Sequence, residues 1–367
     1  MRKRVVVAAL VAVTAALAVA ASASASKHAG LTKVTIQLKW VPQAQFAGYY
    51  AALDKGYYKA AGLDVTLKNG GPNIIPEQVV AQGSAQFGVD WLPSLLAARD
   101  TGTQLVNIAQ VFSRSGMTQL TWKSSGIKSV KQFKGKKVAN WLGGNQYELF
   151  AALAKFGMDG AANKGVTIVQ QPFDMNLFLN HQVDSASAMT YNELAQVLES
   201  KNPKTGKLFT LKDINVIKMQ NVGTGMLEDG LFSTASYLKS SANRAIAEKV
   251  IGATLAGWIY CRDHVKQCVD FTLKAGPTLP RGHQTWMMNE INKLVWPNKS
   301  GVGIMNAADF RRTATIAKKY GVIKKAPSGA YRTDLAKAAV KGLRAQGMDV
   351  YGKDYRAIKV KLTAGGK

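Results

Sequence analysis

Residues 34–65 run VTIQLKWVPQAQFAGYYAALDKGYYKAAGLDV, and this stretch limits the architecture more than any other. Val34, Ile36 and Leu38 alternate, as in a half-buried strand. Pro42 ends the strand and opens a turn. Phe46, Tyr49, Tyr50 and Leu53 follow at helical spacing, and Gly56 and Gly62 stop this helix and a short second one. Alternation returns over residues 63–67. The pattern predicts a strand–helix–strand unit. In open α/β sheets ligands sit just beyond the carboxyl ends of the strands. Trp40, Gln43 and Gln45 fall at that edge. An aromatic ring beside two amides suits a planar, hydrogen-bonding ligand, although Trp40 and Phe46 are equally good core residues.

The unit repeats. A helix over 75–82 closes at Gly83, and AQFGVDW (85–91) is a buried strand ending in Asp90 and Trp91. A helix starts at Pro93, and 105–112 is again an apolar strand. Strands alternating with helices argue a mainly parallel sheet. QLTWK (119–123) reads as an extended crossing into a second lobe, which opens with helix, turn and strand over 129–141. Strands over 166–169, 185–190 and 215–219 complete that lobe, and Leu231, Phe232 and Ser233 form the return crossing. Gly143 and Gly144 make a tight turn before a helix over 145–156, at a spacing that fits no phosphate loop. From Ala242 the chain is helical. The expectation is an α/β, two-lobed chain with two hinge crossovers: residues 31–122 and 231–367 in the first lobe, 123–230 in the second. A ligand would bind in the cleft, and closure would be a hinge motion.

Residues 1–26 stand apart. Arg2, Lys3 and Arg4 precede an uncharged run over 5–21 and the small residues Ala23, Ser24 and Ala25, the layout of a secretory signal peptide. No cysteine near this point offers a lipid attachment site. The net charge of +26 becomes 26 − 3 = +23 without those three basic residues. The lysines are scattered through loops and helix ends, as at Lys131, Lys134, Lys136 and Lys137, with no recognition helix or zinc motif. A solvated basic surface facing an anionic envelope fits better than a nucleic-acid partner. Cys261 and Cys268 would lie about 10 Å apart on one continuous helix, too far to bridge. A turn at Arg262, Asp263 and His264 would bring them together, and an exported chain meets oxidants.

Support for catalysis is thin. The four histidines (His28, His181, His264 and His283) have no metal-ligand spacing, and no nucleophile elbow occurs. No catalytic residue, metal or cofactor is expected. What recurs is an aromatic residue beside polar ones at strand ends: Trp40 with Gln43, Gln45 and Tyr49; Trp91 with Asp90; Trp141 with Asn145 and Glu148; Tyr191 with Asn192 and Glu193. Two of these sets belong to each lobe. A cleft lined so from both sides stacks a flat ring and satisfies its polar edge. The competing reading makes them rim aromatics that anchor the lobes.

Six motifs carry a family resemblance: LKWVPQAQFAGYY, DKGYYKAAGLDV, GGPNIIPEQVVAQGSAQFGVDWLPS, QPFDMNLFL, MTYNELAQVLE and GTGMLEDGLF. Together they resemble the substrate-binding proteins of ABC importers in the family related to thiamine-pyrimidine synthases, over roughly residues 34–271. The resemblance implies the type II periplasmic-binding-protein fold. It also implies a monomer, exported to the periplasm or the outer face of the cytoplasmic membrane, with an ABC permease as partner. QAQFAGYY and MTYNE look like riboflavin-binding members. Pyrimidine-precursor binders usually carry Pro-Asn where Pro42-Gln43 stands here. The enzyme branch has a cysteine-rich motif that this chain lacks, so activity is not expected. By resemblance Trp40, Tyr191 and Glu193 contact the ring of a flat heterocycle, riboflavin or an aminopyrimidine.

Overall fold

A computed structural model describes residues 30–367, and they form two sheets. The segment expected to be a signal peptide lies outside the described residues. The chain first lays down β1 (Thr32–Gln37), β2 (Leu63–Lys68), β3 (Phe87–Trp91) and β4 (Leu105–Gln110). It then builds β5 (Met117–Trp122), β6 (Lys137–Asn140), β7 (Thr167–Gln170), β8 (Ser185–Met189) and β9 (Ile214–Lys218), and returns for β10 (Asp229–Thr234). The first sheet has the order β2-β1-β3-β10-β4 and the second β7-β6-β8-β5-β9. β1 pairs in parallel with β2 and β3, and β6 with β7 and β8. Each sheet holds one antiparallel strand, β10 or β5, and in each case it is the strand that arrives from the other lobe.

This corrects both expected crossings. Residues 119–122 of QLTWK lie within β5, buried between β8 and β9, with Lys123 just past its end, and Leu231, Phe232 and Ser233 lie within β10. The chain passes between sheets at residues 111–116 and 219–228 instead, so β5 belongs to the second lobe. A buried polar link ties the crossings together. Glu228 Oε1 on the return accepts from Gly116 N (2.6 Å) and Met117 N (3.1 Å) on the way out.

Helices cover the sheets. In the first lobe these are α1 (Ala47–Asp54), α2 (Tyr57–Ala60), α3 (Pro76–Ala81) and α4 (Leu92–Asp100). In the second they are α5 (Tyr147–Lys155), α6 (Asn176–Leu179) and α7 (Glu193–Leu198), with α8 (Met219–Val222) on the return. The carboxyl-terminal third adds α9 (Ser241–Asp263), α10 (Val265–Ala275), α11 (Arg281–Val295), α12 (Ala307–Lys319) and α13 (Asp334–Ala345). α9 presses close on α1 because two glycines meet: a Cβ on Gly257 would lie 2.0 Å from the Gly48 carbonyl oxygen. The break between α9 and α10 falls at His264 (φ −129°, ψ 55°). It brings the Cys261 and Cys268 Cα atoms to 5.4 Å, and the two are disulfide-bonded. Among the described residues no helix is long and apolar enough to cross a membrane.

Candidate functional site

The parallel strands of both sheets end at one cleft. β1 runs into Lys39 and Trp40, and its Pro42 turn carries Gln43 and Gln45; β3 ends in Trp91. From the second lobe, β6 leads into Trp141 and Asn145, while β8 ends at Met189 and delivers Tyr191, Asn192 and Glu193. These residues line a narrow recess between the lobes. Trp40 and Trp141 meet across it edge to face, with ring centroids 6.4 Å apart and planes at 69°.

Polar groups around the rings are ordered by one another. Gln45 Nε2 donates to Asp229 Oδ2 (2.8 Å), Gln43 Nε2 to Gln45 Oε1 (2.6 Å), and Asn192 Nδ2 to Gln43 Oε1 (3.3 Å) across the cleft. Asn192 Nδ2 also donates to Glu193 Oε1 (2.7 Å), and Met189 N donates to Glu193 Oε2 (2.9 Å). Burial pushes the Glu193 carboxyl up to about 7 despite these donors, and pushes Asp229 to about 7 as well. Burial also raises the Tyr191 hydroxyl. Removing a carboxylate from water disfavours its charged form, and that outweighs the local hydrogen bonds here.

Three expected site residues do not reach the cavity wall. Tyr49 points inward from α1 onto the Trp258 ring (centroids 6.2 Å, 86°), so it is a core residue. Glu148, in the first turn of α5, accepts from Ser115 Oγ (2.8 Å) at the outgoing crossing, where burial pushes its carboxyl up to about 8. Asp90 lies one step behind the wall and pairs with Lys39 (3.1 Å).

Lys39 and Met189 line the cavity and were not among the expected residues. Lys39 is 2% exposed, and its Nζ also donates to the Gly143 carbonyl (2.8 Å) of the second lobe. Close by, Ser94 Oγ donates to the Gly144 carbonyl (2.6 Å). The glycine turn after β6 is therefore where the second lobe rests on the first. Burial holds the carboxyl of Asp90 above its ordinary range against the pull of Lys39, and it raises nearby Glu77 further. One cation faces two buried acids here, and burial and the Asp90 carboxyl together raise Glu77.

The arrangement suits recognition of a flat ring by stacking and by a mixed set of donors and acceptors. The model of the family described as NMT1/THI5 like matches residues 43–267. The riboflavin-binding protein RibY of Chloroflexus aurantiacus is 27% identical over 321 residues, covering 84% of this chain and 87% of that protein. A 4-amino-5-hydroxymethyl-2-methylpyrimidine phosphate synthase of Saccharomyces cerevisiae is 30% identical over 108 residues, covering 29% of this chain and 32% of the enzyme. The crystal structure of the periplasmic aliphatic sulphonate binding protein SsuA from Escherichia coli superposes with a TM-score of 0.58 at 14% identity, covering 90% of this chain and 93% of that one. The architecture is the two-lobed periplasmic-binding-protein fold.

Proposed function

The chain belongs to the NMT1/THI5-like family, and on that premise we propose that it is an exported solute-binding protein. It captures a flat nitrogen heterocycle, riboflavin, and delivers it as a monomer to an ABC permease. The observation that carries this reading is the cleft itself: Trp40 and Trp91 from one lobe face Trp141 and Tyr191 from the other, with Gln43, Asn192 and Glu193 at the rim. Aromatic faces hold the ring system, and the amides and the carboxylate serve its carbonyl and N–H edge. The similarity to RibY along most of both chains supports the flavin in particular.

A second reading, an aminopyrimidine, draws support from how closely the aromatic walls of the cleft meet. Trp40 and Trp141 already touch, so one ring enters with less movement than three fused rings. Under either reading the chain binds and releases its ligand; the similarity to the pyrimidine synthase covers 32% of that enzyme.

Titration calorimetry with riboflavin and with 4-amino-5-hydroxymethyl-2-methylpyrimidine separates the two. Tight riboflavin binding with quenching of flavin and tryptophan fluorescence is the expected result. Tight pyrimidine binding without riboflavin binding selects the second reading, and conversion of either compound removes both.

A further inference from the structure

A second, wider recess opens beside the first, and both lobes form it. Trp40, Gln43 and Asn192 line both spaces, so these side chains are the partition between them. Across the partition Asn192 Nδ2 donates to Gln43 Oε1 at 3.3 Å, a longer contact than the 2.6 and 2.8 Å bonds that tie Gln43 to Gln45 and Gln45 to Asp229. A ligand breaks this contact more readily than the other two.

The second recess has apolar walls and a polar floor. Phe173 of the second lobe is 58% exposed, and Leu279 and Pro280 of the first are half-buried; these make the outer walls. Gln284, Glu199 and His283 are buried and make the floor. Ala44 N donates to Gln284 Oε1 (2.8 Å). A backbone N–H only donates, so that bond fixes the amide, and Nε2 is its end left for a ligand. Glu199 Oε2 lies 2.8 Å from His283 Nδ1, while Oε1 has no hydrogen-bond partner among the described residues. A buried acceptor left unpaired is costly, and a hydroxyl donor removes that cost. The floor thus offers a donor and an acceptor, and the walls offer aromatic and aliphatic surface. A chain of hydroxyl-bearing carbons matches both, since each hydroxyl donates and accepts while the carbons lie on the walls.

Charge narrows the choice. Among the described residues no lysine or arginine lines this recess, and Arg281, beside Pro280, is tied to Asp270 (2.5 Å). An imidazolium at His283 is cancelled by the Glu199 carboxylate, and a neutral imidazole leaves that carboxylate uncompensated. Nothing here balances a phosphate. Resting on the flavin reading of the first recess, we propose that the second recess is the subsite for the ribityl chain of riboflavin, and that it selects the free vitamin over its phosphate ester, FMN. A flavin carries the chain on a ring nitrogen close to its carbonyl edge. Gln43 and Asn192 serve that edge, so the chain passes between them where the 3.3 Å contact yields.

Titration calorimetry with riboflavin, with lumiflavin (a methyl group in place of the chain) and with FMN tests this. Riboflavin should bind about ten- to a hundredfold tighter than lumiflavin and about tenfold or more tighter than FMN. Phe173→Ser removes an exposed wall and should weaken riboflavin several-fold while lumiflavin affinity stays the same. Ser200→Lys, just past α7, places a cation in the recess and should raise FMN affinity about tenfold. Lumiflavin binding as tightly as riboflavin, or Phe173→Ser weakening both alike, overturns the subsite and leaves the flavin reading intact. FMN binding wild type as tightly as riboflavin, or gaining nothing from Ser200→Lys, overturns the selection. If no flavin binds wild type, the flavin reading has failed and the subsite falls with it.

Discussion

Glu193 has both carboxylate oxygens committed, one to the Met189 amide and one to Asn192, in a place where burial already pushes it up to about 7. Glu193→Ala strands two buried donors, and each such loss costs about 1–3 kcal/mol. Affinity should fall by roughly 5–150-fold, and the melting temperature without ligand should fall too. Glu193→Gln keeps one acceptor and should lose less of both. Calorimetric titration beside thermal melts checks this, and an unchanged affinity in Glu193→Ala removes the residue from the site. At this scale the sequence shows the cleft aromatics well, because strand ends follow from alternation and Trp40, Trp91, Trp141 and Tyr191 stand at them. It misleads at Tyr49, whose helical phase turns the ring onto Trp258. It is silent on partners distant in the chain. Lys39 meets a carbonyl 104 residues away, and His283 meets acceptors 84 and 91 residues away. No local pattern announces such pairs.

Among the elements, β5 shows how a strand is misassigned by order alone. Its six residues are buried and apolar enough for any strand, but their place between two repeating units suggested a linker. Only pairing with β8 and β9 reveals that the chain enters each lobe as an antiparallel strand in the midst of parallel ones. The α9–α10 break was more legible, since two cysteines seven residues apart bridge only across a turn. The turn after β6 supplies a test of closure. A Cβ on Gly143 would lie 2.7 Å from the Pro72 carbonyl oxygen of the first lobe, in a place where Lys39 must also reach the Gly143 carbonyl. Gly143→Ala should therefore hold the lobes apart and speed ligand dissociation about tenfold, a loss of about 1.4 kcal/mol. Stopped-flow release beside circular dichroism reads this. An unchanged rate with unchanged secondary structure would mean that the turn takes no part in closure.

For the whole molecule, the chain-wide positive charge, the two lobes and the acids Glu148 and Glu193 between them were visible in the sequence, but Asp229 and the depth to which these acids are buried were not. Glu148 is pushed up to about 8, and Glu193 and Asp229 to about 7, in each case chiefly by burial. Their ordinary values are 4.5, 4.5 and 3.8, so from about pH 4 to pH 8 the folded chain holds protons that the unfolded chain has released. Stability is then fully present below the unfolded values and declines as pH rises through the folded ones. At the surface the sign is opposite. Backbone N–H groups of Lys324 and Lys325 hold Asp100 low, and the backbone N–H of Thr210 holds Asp213 low, so their contribution is lost only in more acidic solution. The two trends leave a stability maximum on the acid side of neutrality. Raising a buried carboxyl's pKa by one on folding corresponds to about 1.4 kcal/mol, so the ligand-free melting temperature should be several degrees lower at pH 8 than at pH 5. Glu148→Gln keeps an acceptor for Ser115 and has no proton to release, so this variant should show a smaller decline. Melts at both pH values measure the effect. A wild type as stable at pH 8 as at pH 5 would mean that these carboxylates are charged and solvated, and that the lobes stand open around them.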